Sequence, residues 1–256
     1  MLTQENFVFV LVRPNFLGNI GSTARVMKNF GFTQLRMVSP PKNYLDSEAR
    51  RMAVDAFDIL KKARVFDSVS AALEDINIAV GSSSGQYRTH ISQNLAPLAE
   101  SLFQELSDGN KIAMVFGDER NGMTNEELDR CHKLMRIESN PLFPSLNLAQ
   151  ALGVVAYQLS LQIKTHDNEA SSDTSQYARP EGLPEGLRMT GALEDQLMER
   201  IVTLMDDVEF SRSFNRTKVT GELRNTLQKF NLTQREGLLW QGLLSKVLAR
   251  LARQSD

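Results

Sequence analysis

Three short segments of this chain, two of which contain glycine, are rich in small polar or charged residues, the types that can surround a small ligand. They are GSSSG at 81–85, GDERNG at 117–122 and SNPLFPSLN at 139–147. Glycine lets a backbone approach a ligand closely, and a serine hydroxyl both donates and accepts hydrogen bonds. These groups suit a neutral adenine and ribose better than a triphosphate. The phosphate-binding patterns GxxxxGK[ST] and, after the first strand, GxGxxG are lacking, which argues against nucleotide hydrolysis and dinucleotide redox chemistry.

A fourth feature is NIGSTAR at 19–25, in which Arg25 follows Gly21 by four residues. If this segment is helical, Arg25 lies about one turn beyond Gly21. A guanidinium group stays protonated and grips phosphate with paired hydrogen bonds, so it is suited to positioning rather than to removing a proton. The alternative interpretation of Arg25 is a surface arginine paired with a carboxylate. Likewise, each of the three loops taken alone is compatible with a flexible or charged turn.

Strand-like apolar segments alternate along the chain with amphipathic helical ones. We predict strands at 6–12, 35–38, 64–66, 76–80, 111–116 and 135–137, and helical segments at 22–30, 47–60, 69–73, 95–106 and 124–131. Residues 13–21 are predicted to be a turn-rich link, Gly31 to be the left-handed cap of the first helix, and Thr124 with Glu127 to form a capping box. This alternation predicts an α/β fold with a parallel sheet covered by helices. Ligands bind such sheets at the carboxyl ends of the strands. Because each of the three loops follows a predicted strand, we expect the loops to meet at that edge.

A long apolar helix is predicted from about Asn147 to Thr165, directly after the third loop. Pro141 and Pro144 exclude helix from that loop, and Ser145 and Asn147 are candidate N-caps. Apolar residues recur at three- and four-residue spacing and predict one buried face, made of Leu146, Ala149, Leu152, Val155, Ala156 and Leu159. The periodicity alone indicates a buried helix and not a binding site.

The C-terminal part of the chain differs in composition from the rest. Residues 166–186 are poor in apolar side chains and rich in Ser, Asp, Glu, Pro and Gly, which predicts a linker. Three amphipathic helices are predicted after it, the third capped by Thr233 and Glu236. We therefore predict a main domain at 1–165, a linker at 166–188 and a small all-helical C-terminal extension at 189–256.

Composition narrows the class of protein. The 256 residues are 41% hydrophobic and 23% charged with a net charge of −2, as in ordinary globular proteins. From 209 to 253 there are nine Lys or Arg and three Asp or Glu residues, a pattern that fits phosphate contacts or a solvated helix surface. The single cysteine and the absence of a signal peptide or membrane-spanning run predict a cytoplasmic protein. Histidine and cysteine lack metal-ligand spacing, so no metal is expected.

NIGSTAR, VFGDERNGM at 115–123 and SLNLAQA at 145–151 together resemble, in order and spacing, the three motifs of SPOUT-superfamily RNA methyltransferases. The resemblance is greatest to the bacterial TrmJ type, the tRNA cytidine/uridine 2'-O-methyltransferases. It covers about residues 6–165 well and the tail more loosely. It implies a deep trefoil knot in the C-terminal part of the sheet domain, a homodimer, and S-adenosylmethionine-dependent methylation of a ribose 2'-oxygen in tRNA. The expected target is position 32 of the anticodon loop.

The resemblance also implies roles for individual residues. Arg25 matches the residue taken to act in methyl transfer. The cofactor contacts would be Ser82, Ser83, Ser84, Gly117, Ile137, Pro144, Ser145 and Leu146. Supporting or RNA-binding roles would fall to Asn19, Arg88, Glu119 and Asn147. The departures are small: Met123 stands where leucine is usual, and the 81–85 loop is more serine-rich than is common, which could alter RNA choice.

Two other functions stay open at this point. One is 2'-O-methylation of ribosomal RNA, and the other is RNA binding by an inactive protein of the same fold. The intact Arg25 and the three intact loops favour an active enzyme over the second. A Rossmann-type dehydrogenase is disfavoured because the phosphate loop is missing.

Overall fold

A computed structural model describes residues 4–83, 92–107, 109–170, 186–210 and 215–252, and its centre is a seven-stranded parallel sheet. The strands are β1 (Phe7–Val12), β2 (Gln34–Val38), β3 (Arg64–Phe66), β4 (Ile78–Ser82), β5 (Ser92–Asn94), β6 (Ile112–Phe116) and β7 (Lys133–Arg136). Their order in the sheet is β3-β2-β1-β6-β4-β7-β5, and every neighbouring pair is parallel. The predicted α/β class with a parallel sheet is confirmed.

The helices follow the strands in alternation and then continue alone. They are α1 (Leu17–Asn29), α2 (Ser47–Ala53), α3 (Phe57–Lys62), α4 (Val69–Ala72), α5 (Leu95–Ser107), α6 (Asn125–Leu128), α7 (Leu148–Ala170), α8 (Gly191–Asp207), α9 (Arg216–Lys229) and α10 (Gln234–Ala252). The predicted capping boxes are present, with Thr124 and Glu127 at α6 and Thr233 and Glu236 at α10. These caps satisfy amides of the first helical turn that have no partner within the helix.

Strand β1 divides the core of the sheet domain into two layers. Phe7, Phe9 and Leu11 face the larger layer, which includes residues of α1, α5 and α7. Their alternates Val8, Val10 and Val12 face the smaller layer, with residues of α4 and α6. A strand buried on both faces requires the continuous apolar run that the sequence shows here.

Helix α1 begins at Leu17, five residues earlier than predicted. The glycine-containing start, interpreted from sequence as a turn-rich link, is helical because it packs closely on α2. A Cβ atom added at Gly21 would lie 2.2 Å from the Ala49 carbonyl oxygen, so glycine is required there for the approach of two backbones. Gly31, with φ +81°, follows the helix as the predicted left-handed cap residue.

Other boundaries also differ from prediction. The expected single helical region at 47–60 is split into α2 and α3 by a short 3-10 turn at Val54–Ala56, where Val54 has φ +52°. Helix α7 continues to Ala170, so residues 166–170 of the predicted linker are helical. Four of these five residues are polar, but none is proline or glycine, and an established helix adds residues at little cost. Residues 171–185 lie outside the described part of the chain.

The C-terminal helices dock on the sheet domain through buried polar contacts. Glu194 in α8 is 5% exposed and accepts a hydrogen bond from Gln228 at 3.0 Å, with the His132 ring nitrogen Nε2 at 3.2 Å. Burial raises the pKa of Glu194, but the contacts with His132 and with Arg224 outweigh it, so the pKa lies below its usual value. The Arg188 guanidinium pairs with Glu105 of α5 nearby.

We expect Asp75→Asn to lower the free energy of unfolding at pH 7 by about 2 kcal/mol. The Arg36 guanidinium is 4% exposed and donates to Asp75 at 2.5 and 2.9 Å, so the substitution leaves a buried cation without its carboxylate. The Asp75 side chain is 43% exposed, and solvent therefore reduces the loss below that of a fully buried pair. Urea unfolding measures the change. The matched control Asp58→Asn breaks the exposed pair with Lys28 and should cost no more than about 0.5 kcal/mol.

The contribution of Asp75 should depend on pH in a defined direction. The hydrogen bonds from Arg36, which outweigh the effect of burial, and from Lys111 hold the pKa of Asp75 well below its usual range. A depressed folded-state pKa stabilises the protein above the unfolded pKa of about 3.9, and the stabilisation is lost as pH falls below it. The difference between the wild type and Asp75→Asn should therefore shrink below about pH 4. A difference that stays constant down to pH 2 would contradict this assignment.

Candidate active site

The loops after β6, β4 and β7 meet at one edge of the sheet, because these strands are neighbours in the order β6-β4-β7. They surround a pocket of about 220 Å³. Seven of the eight residues predicted to contact a cofactor line it, namely Ser82, Ser83, Gly117, Ile137, Pro144, Ser145 and Leu146. The eighth, Ser84, lies outside the described residues.

The loop after β6 is a tight turn that forms one wall of the pocket. The backbones of Asp118 and Gly122 pair with each other, with N···O distances of 3.3 and 3.0 Å. A Cβ atom added at Gly117 would lie 2.2 Å from the Gly122 carbonyl carbon, so only glycine fits at the start of this turn. Gly122 has φ +67°, which favours glycine at the end as well.

Hydrogen bonds within the turn hold the Asp118 carboxylate. Its Oδ1 accepts from the backbone amides of Arg120 at 2.8 Å and Asn121 at 2.7 Å. Burial raises the pKa of Asp118, but the two amides outweigh this effect and the pKa lies below its usual value. The Asp118 carboxylate therefore stays ionised within the turn and accepts hydrogen bonds from the two backbone amides.

Arg13 ties this turn to the end of β1, and the sequence did not single it out. Its guanidinium pairs with Glu127 of the α6 capping box and lies 3.3 Å from the Gly122 carbonyl oxygen and 3.7 Å from Asp118 Oδ2. The capping box was predictable from spacing within one helix. Arg13, by contrast, is 114 residues from Glu127 along the chain. The pairing of β1 with β6 brings the two residues together.

A chain of amide and carboxylate contacts joins the three sequence motifs. Asn19 donates from Nδ2 to Glu119 Oε1 at 2.9 Å, and Asn147 donates from Nδ2 to Asn19 Oδ1 at 2.9 Å. Asn147 also caps α7, because its Oδ1 accepts from the Ala149 amide at 2.9 Å. Three of the predicted supporting residues are thus brought together, each from a different motif. The fourth, Arg88, lies outside the described residues.

Beside the pocket lies a wider, open depression of about 730 Å³, which we call the outer groove. Four residues line both: Glu119, Ser145, Leu146 and Leu148. The remaining wall of the outer groove comes from the start of α1 and the residue before it, from α2, from the proline-containing loop before α7 and from the first turn of α7: Phe16, Gly18, Asn19, Glu48, Phe143, Asn147 and Gln150. A ligand in the pocket and a larger molecule on the surface would therefore meet at this boundary.

Arg25 is exposed and lines neither the pocket nor the outer groove. It follows Gly18 by seven residues, which places it on the same face of α1, about 10 Å further along the helix axis. Because helical side chains lean toward the N-terminus, a long side chain at this position can reach back along α1 toward the groove. The position suits contact with a molecule that lies across the surface.

The described residues include no cluster of three or more His, Cys, Asp or Glu side chains arranged to hold a metal ion. The helices among them are all too short or too polar to cross a membrane.

An open parallel sheet whose carboxyl edge carries such a pocket defines a ligand-binding α/β protein. Comparison with known proteins identifies which one: the chain belongs to the SpoU rRNA Methylase family, which matches residues 6–157. An uncharacterized tRNA/rRNA methyltransferase of Haemophilus influenzae is 39% identical over 168 residues, covering 66% of this chain and 68% of that protein.

Two similarities extend over nearly the whole chain. The tRNA (cytidine/uridine-2'-O-)-methyltransferase TrmJ of Salmonella typhimurium is 32% identical over 253 residues, 98% of each protein. The crystal structure of TrmJ from Z. mobilis ZM4 superposes with a TM-score of 0.77 at 25% identity, covering 94% of this chain and 98% of that one. The likeness therefore includes the C-terminal helices as well as the sheet domain.

Proposed function

We propose that this protein is an S-adenosylmethionine-dependent methyltransferase that modifies the 2'-oxygen of a cytidine or uridine ribose in tRNA. The observation that carries the proposal is the convergence of seven sequence-predicted cofactor residues on one pocket that opens into a groove. The full-length similarity to a tRNA cytidine/uridine 2'-O-methyltransferase supports tRNA as the substrate. Position 32 of the anticodon loop is the expected target, and the cytoplasm is where the enzyme would meet it.

The pocket suits the adenosine part of S-adenosylmethionine. Ser82, Ser83 and Ser145 supply hydroxyls and amides for its polar groups, and Ile137 and Leu146 supply apolar surface. The tight turn at Gly117 leaves the backbone bare along one wall, as close approach to a ligand requires. When bound, S-adenosylmethionine supplies an activated methyl group on its sulfonium. Such a transfer depends mainly on alignment of the accepting oxygen, and the proposal includes no metal.

Arg25 is the residue that we assign to alignment. Its guanidinium remains charged and would clamp an RNA phosphate with two hydrogen bonds, holding the adjoining ribose at the boundary of groove and pocket. Since arginine is a poor base, the 2'-hydroxyl proton would pass to that phosphate or to water. Asn19, Glu119 and Asn147 would hold the loops after β6 and β7 against the start of α1 through their mutual hydrogen bonds.

The remaining parts of the proposal concern architecture. Strand β7 lies between β4 and β5, both earlier in the chain, and this crossing order supports a trefoil knot at the pocket. We propose a SPOUT domain at 1–165, a linker at 166–188 and a helical extension at 189–256. The basic residues of α9 and α10 support an RNA-contacting role for the extension.

A homodimer is proposed from α7. Val154, Tyr157 and Leu161 are 41%, 52% and 39% exposed, and their spacing of three and four residues places them on one face of this helix. Tyr157 also packs edge-on against Phe30, the residue directly after α1, at 6.0 Å, so the exposed face continues to the end of the helix that carries Arg25. A symmetric contact along α7 would bury this apolar row against its copy.

Leu161→Arg is therefore expected to convert the dimer into a monomer, because it places a charge within the apolar row. Light scattering coupled to size-exclusion chromatography measures the mass directly. Leu45→Arg is the matched control, since Leu45 is also 39% exposed but lies before α2 and is not part of this row. A dimer that persists in Leu161→Arg would place the interface elsewhere.

The activity itself is tested by incubating the protein with labelled S-adenosylmethionine and unmodified bulk tRNA, with ribosomal RNA in a parallel reaction. Label in tRNA that maps to a ribose 2'-oxygen is the expected result. Label in ribosomal RNA alone would support the rRNA alternative. Cofactor binding by calorimetry without label in either RNA would indicate an inactive RNA-binding protein.

A further inference from the structure

The outer groove carries two phenylalanine rings that face solvent. Phe16 is 47% exposed and Phe143 is 78% exposed. The backbone presents Phe143 in a fixed way, because Pro141 and Pro144 flank it and its amide donates to the Asn140 carbonyl at 2.9 Å. Two large exposed aromatic rings beside a binding pocket indicate a contact surface for a partner with flat apolar faces.

A cation accompanies the first ring. The Arg120 guanidinium carbon lies 5.7 Å from the centroid of Phe16, in the turn that forms the pocket wall. Aromatic rings interleaved with arginine are the surface that single-stranded nucleic acid binds, since bases stack on the rings and phosphates approach the cations. The combination therefore favours a nucleotide over an apolar protein segment as the occupant.

A carboxylate lies in the same groove. Glu48 at the start of α2 is exposed, and its Oε1 would lie 3.1 Å from a Cβ atom added at Gly18. The bare backbone of Gly18 thus leaves room for this carboxylate against the first turn of α1. A carboxylate accepts hydrogen bonds only, and it is the side chain that pairs with the amino group of cytosine.

We propose that the outer groove binds the base of the nucleotide whose ribose is methylated, with the base stacked on Phe16 and Phe143 and its amino group donating to Glu48. The inference rests on the proposed function, because it takes the pocket to hold the methyl donor. A base lies within a few ångströms of its own ribose, and the outer groove shares four lining residues with the pocket. A base in the outer groove and its ribose at the edge of the pocket would therefore occupy adjoining sites.

The arrangement assigns a base preference. The N4 amino group of cytosine would donate a hydrogen bond to the Glu48 carboxylate. Uracil has the acceptor O4 at this position, so its O4 and the carboxylate, both acceptors, would form no hydrogen bond. Cytidine should be methylated several-fold more efficiently than uridine at the same position. Uridine is still accepted, because the stacking contacts do not distinguish the two pyrimidines.

The stacking role is tested with Phe143→Ala and the control Leu142→Ala. Leu142 lies in the same loop and is 91% exposed, but it lines neither cavity. Phe143→Ala should lower kcat/KM for tRNA about tenfold, the loss expected for one stacking ring, while the Kd for S-adenosylmethionine is unchanged. Phe143→Tyr should restore the rate and Leu142→Ala should match the wild type. Equal rates for the two alanine variants would overturn the stacking role.

The specificity role is tested by Glu48→Gln on tRNA transcripts that carry C or U at the mapped target. An amide both donates and accepts, so the ratio of the two kcat/KM values should fall to about one. Asp46→Asn, two residues earlier and also exposed, should keep the wild-type ratio. An unchanged ratio in Glu48→Gln, or a wild-type preference for uridine, would overturn this role. Wild-type protein that methylates no RNA would instead reject the proposed function, and the groove assignment with it.

Discussion

Arg25→Ala should reduce methyl transfer to tRNA by about 100-fold or more while the Kd for S-adenosylmethionine stays at its wild-type value. We expect the transfer rate to change without the Kd because of where Arg25 lies. Arg25 lines neither cavity, so its loss leaves the pocket intact, but it removes the proposed phosphate clamp from α1. Misplacement of the accepting oxygen by about 1 Å is enough for an effect of this size. Single-turnover transfer of labelled methyl, with calorimetry for the cofactor, measures both quantities.

Two further variants distinguish alignment from bulk charge. Arg51→Ala removes an exposed cation from the adjacent helix α2 and should leave the rate within about twofold, as expected for a surface charge. Arg25→Lys keeps the charge but loses the planar fork, so its rate should fall between those of the wild type and Arg25→Ala. If Arg25→Ala weakened cofactor binding as much as it slowed transfer, the residue would be structural. Full activity in Arg25→Ala would remove it from the mechanism.

The parts of the fold that sequence predicted are those fixed by local pattern. The apolar runs at β1 and β6 are typical of strands buried on both faces, and the capping boxes at α6 and α10 depend on residues three apart. Strand β5 was missed because its residues, Ser-Gln-Asn, have no apolar pattern, and its extended form follows from pairing with β7. The early start of α1 was missed for a related reason, since Gly21 is helical only because α2 lies against it.

The residues of the candidate site also fall into those that a local sequence pattern predicts and those that depend on contacts distant in the chain. The loop residues of the pocket were predictable because glycine and serine after a strand have local meaning, and the parallel sheet then brings strand ends to one edge. The contacts of Arg13 with Glu127 and of Glu119 with Asn19 join residues 100 or more positions apart, and no local pattern indicates them. Phe143 and Glu48 belong to the same group. An exposed ring or carboxylate acquires a role only when the groove that contains it is known.

Gly117→Ala should weaken S-adenosylmethionine binding by about 100-fold, or about 2.8 kcal/mol. The added Cβ atom would lie 2.2 Å from the Gly122 carbonyl carbon and 2.4 Å from the Met123 amide nitrogen. Both atoms belong to the backbone, so no side-chain rotation relieves the contact. The hydrogen bonds between the Asp118 and Gly122 backbones must break instead. The turn then moves, and the wall that it forms on one side of the pocket is displaced.

Calorimetric titration with S-adenosylmethionine measures this loss, and thermal unfolding of the same sample shows whether the sheet domain remains folded. Gly242→Ala in α10 is the control, because an added Cβ atom there meets nothing within 4 Å and alanine favours helix. It should bind the cofactor as the wild type does. Wild-type affinity in Gly117→Ala would mean that the turn after β6 yields without closing the pocket. The loops after β4 and β7 would then hold the cofactor by themselves, and the proposed role of Gly117 would be wrong.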